Sequence, residues 1–471
     1  MNLRYTWLKD KYFLIFLGII LIFLIINISQ IGFKFSDENI YFYMGKLILQ
    51  GQFPYQDFFF ASPPLQIIII AGFLTLFGSK IILLKLLPIF ASIISSIFIF
   101  IILRKRFNSL HGLLASTLYL FSFIVLTTTD HSTGIHLATM FLVIGCYFIY
   151  EKKYFLAGIL VSLSLLTRLY SAIAIIGLII YLLIKNRKAL LKFILGIAII
   201  FIPVNLGLIL IFKHNYLTSV FLYHLLKSAG IAKGNIFKFF LKWDIILVVL
   251  SLTAIFFKER RKLLLPFIIS ITIILFYIFY ADIYYLYLGL IIPFLAILGG
   301  WTIYNLLEKT NCKHKILVLI LILIILIVPT TCFYLKNQAQ TAKIEFTQEI
   351  VDFVKENTQP QDTIYGSFEI TPLIALLSER KITGNYIDTN EKTFISGIYN
   401  IEKRTNELKE NVKLVIMKTL LDQNGKIVYL EGIIDPEFLL KECNITKTYP
   451  IKKDYSDNAI VIFDCSISKK G

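Results

Sequence analysis

Residues 315–335 read KILVLILILIILIVPTTCFYL, an apolar run of 21 residues whose only charge is on its first residue. A helix needs about 20 mostly apolar residues to cross the hydrocarbon core of a bilayer. Runs of similar character occur at residues 13–28, 81–103, 110–127, 188–212, 263–280 and 284–304. The sequence therefore predicts a polytopic α-helical membrane protein.

The character of the chain changes where this run ends. Residues 1–335 hold 29 Lys+Arg and 10 Asp+Glu, whereas residues 336–471 hold 18 and 20. The overall charge of +17 thus belongs to the membrane part, where it indicates a positive-inside bias and contact with anionic membrane lipids; no nucleic acid is expected as a partner. We predict two domains, a multi-span domain at 1–335 and a soluble α/β domain at 336–471.

Basic clusters between the apolar runs define a topology, because such clusters mark the cytoplasmic side. They are Arg4/Lys9/Lys11, Arg104/Lys105/Arg106, Lys152/Lys153, Lys185/Arg187/Lys188, Lys258/Arg260/Arg261/Lys262 and Lys309/Lys313/Lys315. The chain crosses an even number of times between successive clusters, so residues 110–150, 154–184, 188–257 and 263–304 are each predicted to form a hairpin. Parity makes 63–78 a juxtamembrane or half-inserted helix. The prediction is 11 crossings in the cell membrane, with a cytoplasmic N-terminus and an extracytoplasmic C-terminal domain.

The first outer loop, residues 32–64, combines acids, glycine and proline. It carries Asp37 and Glu38, followed by a helix pattern with Ile40, Tyr43, Met44, Leu47 and Ile48 on one face and Gly51 at its end. Such a helix is expected along the outer interface. Asp37 either caps this helix, a common role for Asp, or takes part in chemistry.

The order of motifs resembles the polyprenyl-phosphate-sugar-dependent glycosyltransferases of the GT-C superfamily, which include protein O-mannosyltransferases and lipid A aminoarabinose transferases. The resembling pieces are Asp37-Glu38, the Gly51–Asp57 run, Pro63-Pro64-Leu65, Leu166-Thr167-Arg168 and the late run Tyr285–Gly300 with Pro293. The chain has Ser62 where the family more often has an aromatic or basic residue. The resemblance covers roughly residues 1–305 and implies a GT-C-like fold.

The resemblance implies that an acceptor hydroxyl attacks the anomeric carbon of a sugar on a lipid phosphate, with inversion. The hydroxyl needs a general base, and Asp37 is that base by resemblance, with Glu38 orienting it or binding acceptor. One carboxylate suffices because phosphate is already a good leaving group, whereas glycosidases use two. The implied partners are a polyprenyl-phosphate-linked sugar and an acceptor protein, lipid or glycan.

Three basic residues in outer segments are candidates for binding the donor phosphate. Arg168 lies in an apolar run, where an unpaired guanidinium is costly and a phosphate would offset that cost; a structural ion pair with Asp130 or Asp282 is the alternative. His224 and Lys227 lie in a basic outer loop predicted at 213–242. That loop either covers a polyanionic lipid headgroup or contains an amphipathic interfacial helix at 220–226.

Other outward residues are weaker candidates. Asp130-His131 tops the second hairpin, where a carboxylate and an imidazole would suit a divalent metal, Zn or Mn better than Mg; an ordinary polar loop is the alternative. The predicted acceptor or substrate contacts are Tyr55, Asp57, Asp282 and Tyr285, for which a solvated turn at Asp57 and an aromatic belt at 282–285 are the alternatives.

The tail, 336–471, is predicted to contain helices at 341–357 and 371–378 and strands at 363–365, 413–417 and 459–463. Cys443 and Cys465 either pair, if this domain faces an oxidising compartment, or remain two buried thiols. Two other functions compete with glycosyl transfer: a transporter or flippase of lipid-linked sugars, and a non-catalytic assembly factor. A transporter would place its charges near the membrane midplane and show internal repeats, whereas the acids here are at outer loop tips.

Overall fold

The computed structural model describes residues 9–78, 80–227, 230–257, 260–280, 282–309, 315–340, 344, 346–421, 427–430, 436–451 and 458–466. The α-helices are α1 Lys11–Ser29, α2 Glu38–Leu49, α3 Leu65–Phe77, α4 Leu86–Arg106, α5 Ser109–Leu120, α6 Phe123–Thr128, α7 Ile135–Tyr150, α8 Tyr154–Thr167, α9 Ser171–Lys185, α10 Arg187–Leu217, α11 Tyr223–Leu226, α12 Lys233–Thr253, α13 Leu264–Phe279, α14 Ile292–Lys309, α15 Lys315–Gln340, α16 Thr347–Asn357, α17 Thr371–Ser378, α18 Glu391–Ile395, α19 Ile401–Asn411 and α20 Pro436–Glu442. The strands are β1 Thr363–Gly366, β2 Lys381–Ile382, β3 Val412–Leu421, β4 Ile427–Leu430, β5 Asn444–Pro450 and β6 Asn458–Asp464.

The chain divides into two compact units that differ from the predicted domains. Unit 1 comprises residues 1–31, 85–207 and 229–336, and unit 2 comprises 32–84, 208–228 and 337–471. The predicted boundary at 335/336 is therefore incomplete, because the first outer loop and the segment 208–228 belong with the tail. The physical reason is burial: α2 packs between α3 and the tail helix α17, so the loop acquires its core from residues more than 300 positions away.

Unit 1 is a helical bundle whose members pack in sequence-adjacent and remote pairs. The main pairs are α4 with α5 and α7, α7 with α8, α9 with α13, and α14 with α5 and α12. Asp244 breaks α12 with non-helical backbone angles, and its buried carboxylate accepts the backbone N–H groups of Phe123 (2.9 Å) and Ile124 (3.0 Å). It thereby caps the N-terminus of α6 from a different helix.

Each of the eleven predicted crossings coincides with helical structure. Within the described ranges, six helical segments are long and apolar enough to span a membrane: 11–29, 81–106, 187–226, 233–256, 261–279 and 316–338. The other five predicted crossings fall on α5–α6, α7, α8, α9 and α14. Multiple apolar helices support a multi-pass membrane protein, while the number of crossings and the orientation of the termini stay predictions. Some residues of the basic clusters, Arg4, Lys258 and Lys313 among them, lie outside the described residues.

The helix predicted at 63–78 is confirmed as α3. Its 13 residues are about 20 Å long at 1.5 Å per residue, about the length of α8 with its 14 residues. It belongs to unit 2, where it packs on α2. The half-inserted or juxtamembrane placement of α3 stays a prediction.

The prediction of a long loop at 213–242 is wrong. Helix α10 continues to Leu217 through a kink at Lys213, whose φ is +50°, and a π-helical turn and α11 extend helical structure to Leu226. Helix α12 then begins at Lys233. Interspersed lysines mask the helical pattern in the sequence because their long apolar stems can cover apolar surface while the charges stay solvated. The helix expected at 220–226 is present.

Unit 2 is built around a six-stranded mixed sheet in the order β2-β1-β3-β6-β5, with β4 paired to the far part of β3. Strand β1 is parallel to both β2 and β3, and β6 is antiparallel to β3 and β5. The predicted small α/β tail is confirmed. The helix expected at 341–357 is α16, which begins at Thr347; residues 341–343 and 345 lie outside the described residues.

A disulfide joins Cys443, after α20, to Cys465, after β6. Of the two readings of this pair, the structure selects the bond. Among the remaining cysteines, Cys146 is buried and Cys332 exposed, both as free thiols, and Cys312 lies outside the described residues.

Replacing both Cys443 and Cys465 with Ser is expected to destabilise the tail by about 3 kcal/mol, since the bond closes a loop of 22 residues. Thermal unfolding of the purified protein measures this as a lower midpoint. Reductant should lower the midpoint of the wild type and leave that of the double variant unchanged. Equal midpoints for the oxidised wild type and the double variant would contradict the prediction.

Candidate active site

Asp37 occupies the N-cap position of α2, but its side chain makes no capping hydrogen bond. The cap interpretation of Asp37 is therefore not supported, because an N-cap aspartate acts by accepting a backbone N–H of the first turn. Asp37 is half-buried, whereas Glu38 beside it is fully buried. Full burial favours an orienting role for Glu38 over direct contact with an acceptor.

The segment that carries Asp37 is fastened to the loop after β1. The Nδ2 of buried Asn39 donates to the carbonyl oxygens of Glu369 (2.6 Å) and Lys34 (2.9 Å), and the Ser36 N–H donates to the same Glu369 oxygen (3.4 Å). The Glu369 carboxylate is in turn paired with Lys418 of β3 at 2.6 Å. Asp37 is thus held between two residues that are anchored to the sheet.

Helix α2 is buried on more than the one face expected from its sequence. Its buried residues include Phe42 and Gly45 as well as Ile40, Tyr43, Met44 and Leu47. Helix α3 covers one side of α2 and α17 another, while the position of α2 along the outer interface stays a prediction. The Tyr43 hydroxyl accepts the Ile382 N–H at 3.1 Å, and burial raises the pKa of Tyr43 to about 12. The expected end at Gly51 is confirmed by its φ of +82°.

Hydrogen bonds within the loop 51–64, and from Asn385 of the tail, hold this loop in place. Asp57 accepts the Phe53 N–H through Oδ2 (2.7 Å), and Asn385 donates through Nδ2 to the carbonyl of Asp57 (3.0 Å) and to Gln52 Oε1 (3.1 Å). Tyr55, with φ of +70° and 4% exposure, donates its hydroxyl to the Ser62 carbonyl at 2.7 Å. These placements favour structural roles for Tyr55 and Asp57 over the predicted acceptor contacts.

His224 and Lys227 lie where α11 meets the loop 51–64. His224 donates from Nε2 to the Ala61 carbonyl at 2.7 Å, immediately before Ser62-Pro63-Pro64. The Phe59 ring packs on Tyr223 (5.1 Å between centroids) and on Tyr399 of the tail (6.0 Å). The half-buried Lys227 ammonium lies 5.9 Å from the Tyr223 ring. Lys227 therefore places a positive charge beside the Tyr223 ring, whereas the His224 Nε2 holds the loop 51–64 through the Ala61 carbonyl.

Asp388 is the residue of this region that sequence reasoning left without a role. It follows β2 in a loop whose Thr389 hydroxyl donates to the carbonyl of Gly366, the last residue of β1, at 2.8 Å. Burial, followed by the negative charge of Asp37, raises the pKa of the Asp388 carboxyl to about 7. Lys227 and Lys392 act in the opposite direction. The sequence signal is the run from Thr371-Pro372-Leu373 to Gly384-Asn385, followed by Asp388-Thr389-Asn390, which resembles tails of some prokaryotic members of the GT-C superfamily.

Of the predicted site residues, unit 2 holds Asp37, Glu38, Tyr55, Asp57, His224 and Lys227, and unit 1 holds Asp130, His131, Arg168, Asp282 and Tyr285. In unit 1, buried Arg168 donates from Nε to the Thr133 carbonyl at 2.6 Å. Asp282 accepts the Gly230 N–H at 3.2 Å, and the Tyr285 ring packs against Tyr284 with centroids 4.5 Å apart and an interplanar angle of 46°. Each has a local structural function, and their predicted substrate contacts stay predictions.

Asp130, one of the two predicted metal ligands, forms an ion pair with a buried lysine. Asp130 pairs with Lys85, which is 1% exposed, at 3.6 Å, and Lys85 also donates to the Asp130 carbonyl at 2.9 Å. A lysine ammonium against the carboxylate opposes binding of a divalent cation by like-charge repulsion. Among the described residues there is also no group of three or more His, Cys, Asp and Glu side chains suited to a metal. The Lys85 ammonium beside Asp130 therefore disfavours a divalent cation at residues 130–131.

The helical bundle and the mixed-sheet tail together define a GT-C-like fold, as the motifs predicted. Residues 61–210 match a family model described as dolichyl-phosphate-mannose-protein mannosyltransferase. A sequence comparison with curated proteins finds no match.

Solved structures with this fold include two of ArnT from Cupriavidus metallidurans. The form bound to undecaprenyl phosphate superposes with a TM-score of 0.64 at 14% identity, and the apo form with 0.66 at 11%; both comparisons cover 95% of this chain and 97% of the other. The oligosaccharyltransferase AglB from Archaeoglobus fulgidus, in complex with an inhibitory peptide and a dolichol-phosphate, gives a TM-score of 0.56 at 12% identity, covering 91% of this chain and 75% of that one. The predicted resemblance to the GT-C superfamily is confirmed at the level of fold.

Proposed function

We propose that the protein is a membrane glycosyltransferase that moves a sugar from a polyprenyl-phosphate carrier to an acceptor hydroxyl on the outer face of the membrane. The observation that carries the proposal is the placement of Asp37. Its carboxylate stands at the start of α2 without acting as a cap, on a segment tied to the sheet through Glu369. The GT-C-like fold and the family match over 61–210 support the same reaction class.

In the proposed mechanism, Asp37 removes the proton of the acceptor hydroxyl as its oxygen attacks the anomeric carbon. The bond from that carbon to the phosphate oxygen breaks, and the lipid phosphate leaves with the bonding electrons. Attack opposite the leaving group inverts the anomeric configuration. A positioned carboxylate of this kind contributes about 10²–10⁴-fold, and Glu38, buried next to it, orients it.

Lys227 is the proposed cation for the donor phosphate in unit 2. The Lys227 side chain is half-buried, and its ammonium lies 5.9 Å from the Tyr223 ring. The acids Asp37 and Asp388 belong to the same unit as Lys227. Arg168 and His224 remain predicted phosphate contacts as well. The disulfide of the tail supports an oxidising, extracytoplasmic location for that domain.

Lys227→Gln is expected to weaken binding of undecaprenyl phosphate about 10-fold, since a charge-assisted hydrogen bond contributes about 1.5–3 kcal/mol and 1.4 kcal/mol is tenfold in Kd. Native mass spectrometry or thermophoresis of the purified protein in detergent measures the Kd. Lys381→Gln, an exposed residue of β2, is the matched control and should bind as the wild type does. Equal affinity of both variants would remove Lys227 from the donor site.

The reaction itself is tested by incubating the purified protein with undecaprenyl phosphate carrying tritiated mannose and a cell-envelope fraction. Transfer of label to protein, lipid or glycan identifies the acceptor class. Absence of any transfer with this donor and with other polyprenyl-phosphate sugars would overturn the proposed function. Retained export of lipid-linked sugar by an Asp37→Asn variant would instead favour a transporter.

A further inference from the structure

The loop that carries Asp388 sits at the carboxyl end of a parallel strand. Thr389 binds the carbonyl of Gly366 at the end of β1, and the loop that directly follows β1 supplies the Glu369 carbonyl that holds the Asp37 segment. In open sheets with parallel strands, functional loops gather at the carboxyl ends of the strands. Asp388 and Asp37 thus converge on the same end of β1 from segments about 350 residues apart in the sequence.

The charge of Asp388 is not needed by the loop that carries it. Among the described residues, the Asp388 side chain accepts the Asn390 N–H at 3.3 Å, a hydrogen bond that an asparagine Oδ1 would accept equally well. The loop is held by other groups, since the Thr393 hydroxyl donates to the Asp388 carbonyl (3.0 Å) and Asn390 caps α18. A carboxylate partly buried next to a second one is unfavourable for stability, and such arrangements are concentrated at functional sites.

We propose that Asp388 is a positioning residue of the transfer site, a carboxylate supplied by the tail that increases the basicity of Asp37. This inference rests on the proposed function. The groups that face Asp388 are Asp37 from the first outer loop, Lys227 from the segment 208–228, and Lys392 and the Tyr399 hydroxyl from the tail. A negative charge nearby disfavours the ionised form of a second carboxyl, so Asp37 takes the acceptor proton more readily when Asp388 is charged.

The sign of the pH effect follows from burial and charge. The pKa of Asp388 in the folded protein is about 7, above the ordinary value of 3.8. A raised carboxyl pKa means that the protonated form is favoured by folding, so the associated stability is complete below about pH 4 and is lost as pH rises through 7. The functional form, with Asp388 charged, is therefore the less stable one.

The test compares Asp388→Asn with Glu391→Gln, an exposed acid three residues further along the chain, at the first position of α18. At pH 8 the unfolding midpoint of Asp388→Asn should exceed that of the wild type by roughly 2–4 °C, and at pH 5.5 the difference should shrink. Transfer of tritiated mannose should fall about 10-fold at neutral pH, and the acid limb of the pH–rate profile should move to lower pH, since the remaining base is weaker. Glu391→Gln should match the wild type in both measurements.

Two results would overturn the inference alone. One is an Asp388→Asn variant that is less stable than the wild type at both pH values, which indicates a structural role. The other is an unchanged pH–rate profile for Asp388→Asn while Asp37→Asn has lost transfer. If the wild type itself transfers no sugar, the proposed function fails, and the inference fails with it.

Discussion

Asp37→Asn is expected to lower sugar transfer by about 10²–10⁴-fold, the usual contribution of a positioned general base. The amide is nearly isosteric with the carboxylate but cannot accept the acceptor proton. No capping hydrogen bond is lost, because the Asp37 side chain makes none, whereas loss of a true N-cap costs about 1 kcal/mol. The rate is measured with undecaprenyl phosphate carrying tritiated mannose, and stability by thermal unfolding.

The matched control for Asp37→Asn is again Glu391→Gln, which removes a carboxylate from an exposed position of unit 2. Its turnover and midpoint should equal those of the wild type. A drop in turnover with an unchanged midpoint for Asp37→Asn alone supports the base. Unchanged turnover of Asp37→Asn would remove Asp37 from the chemistry, whatever the fate of the fold.

Gly196→Ala is expected to cause the largest loss of stability in unit 1. Gly196 of α10 and Gly158 of α8 face one another, and a Cβ on Gly196 would overlap the Phe155 carbonyl oxygen and approach the Gly158 Cα to 3.0 Å. Small residues at such crossings let helix backbones approach closely. Because the obstruction is backbone rather than a flexible side chain, the helices must separate, at a cost of about 3 kcal/mol or more.

Gly207→Ala provides the comparison, since Gly207 is in the same helix and has open space where a Cβ would be. That substitution should be neutral or stabilise by up to about 1 kcal/mol, because alanine is the better helix former. Folded yield in size-exclusion chromatography and the unfolding midpoint measure both variants. Equal behaviour of the two variants would show that the α8–α10 crossing tolerates separation.

The stretch 315–335 and the other apolar runs were enough to predict a helical membrane part, because length and hydropathy alone determine which segments can exist in a bilayer. Short-range signals were equally reliable: Gly51 ends α2, the turn at Arg168 joins α8 to α9, and the alternation at 413–417 and 459–463 marks strands. Each of these features depends on neighbours within a few residues, which a single sequence displays.

Only the tertiary structure decided which residues share a unit. The first outer loop, the end of α10 and the tail combine because α2 is covered by α17 and Asn39 is held by Glu369. The same long-range packing placed Asp388 near Asp37, gave Tyr55 and Asp57 structural partners, and set Lys85 against Asp130. Hydropathy and spacing are local properties, whereas burial, ion pairing and the meeting of loops depend on contacts between segments hundreds of residues apart.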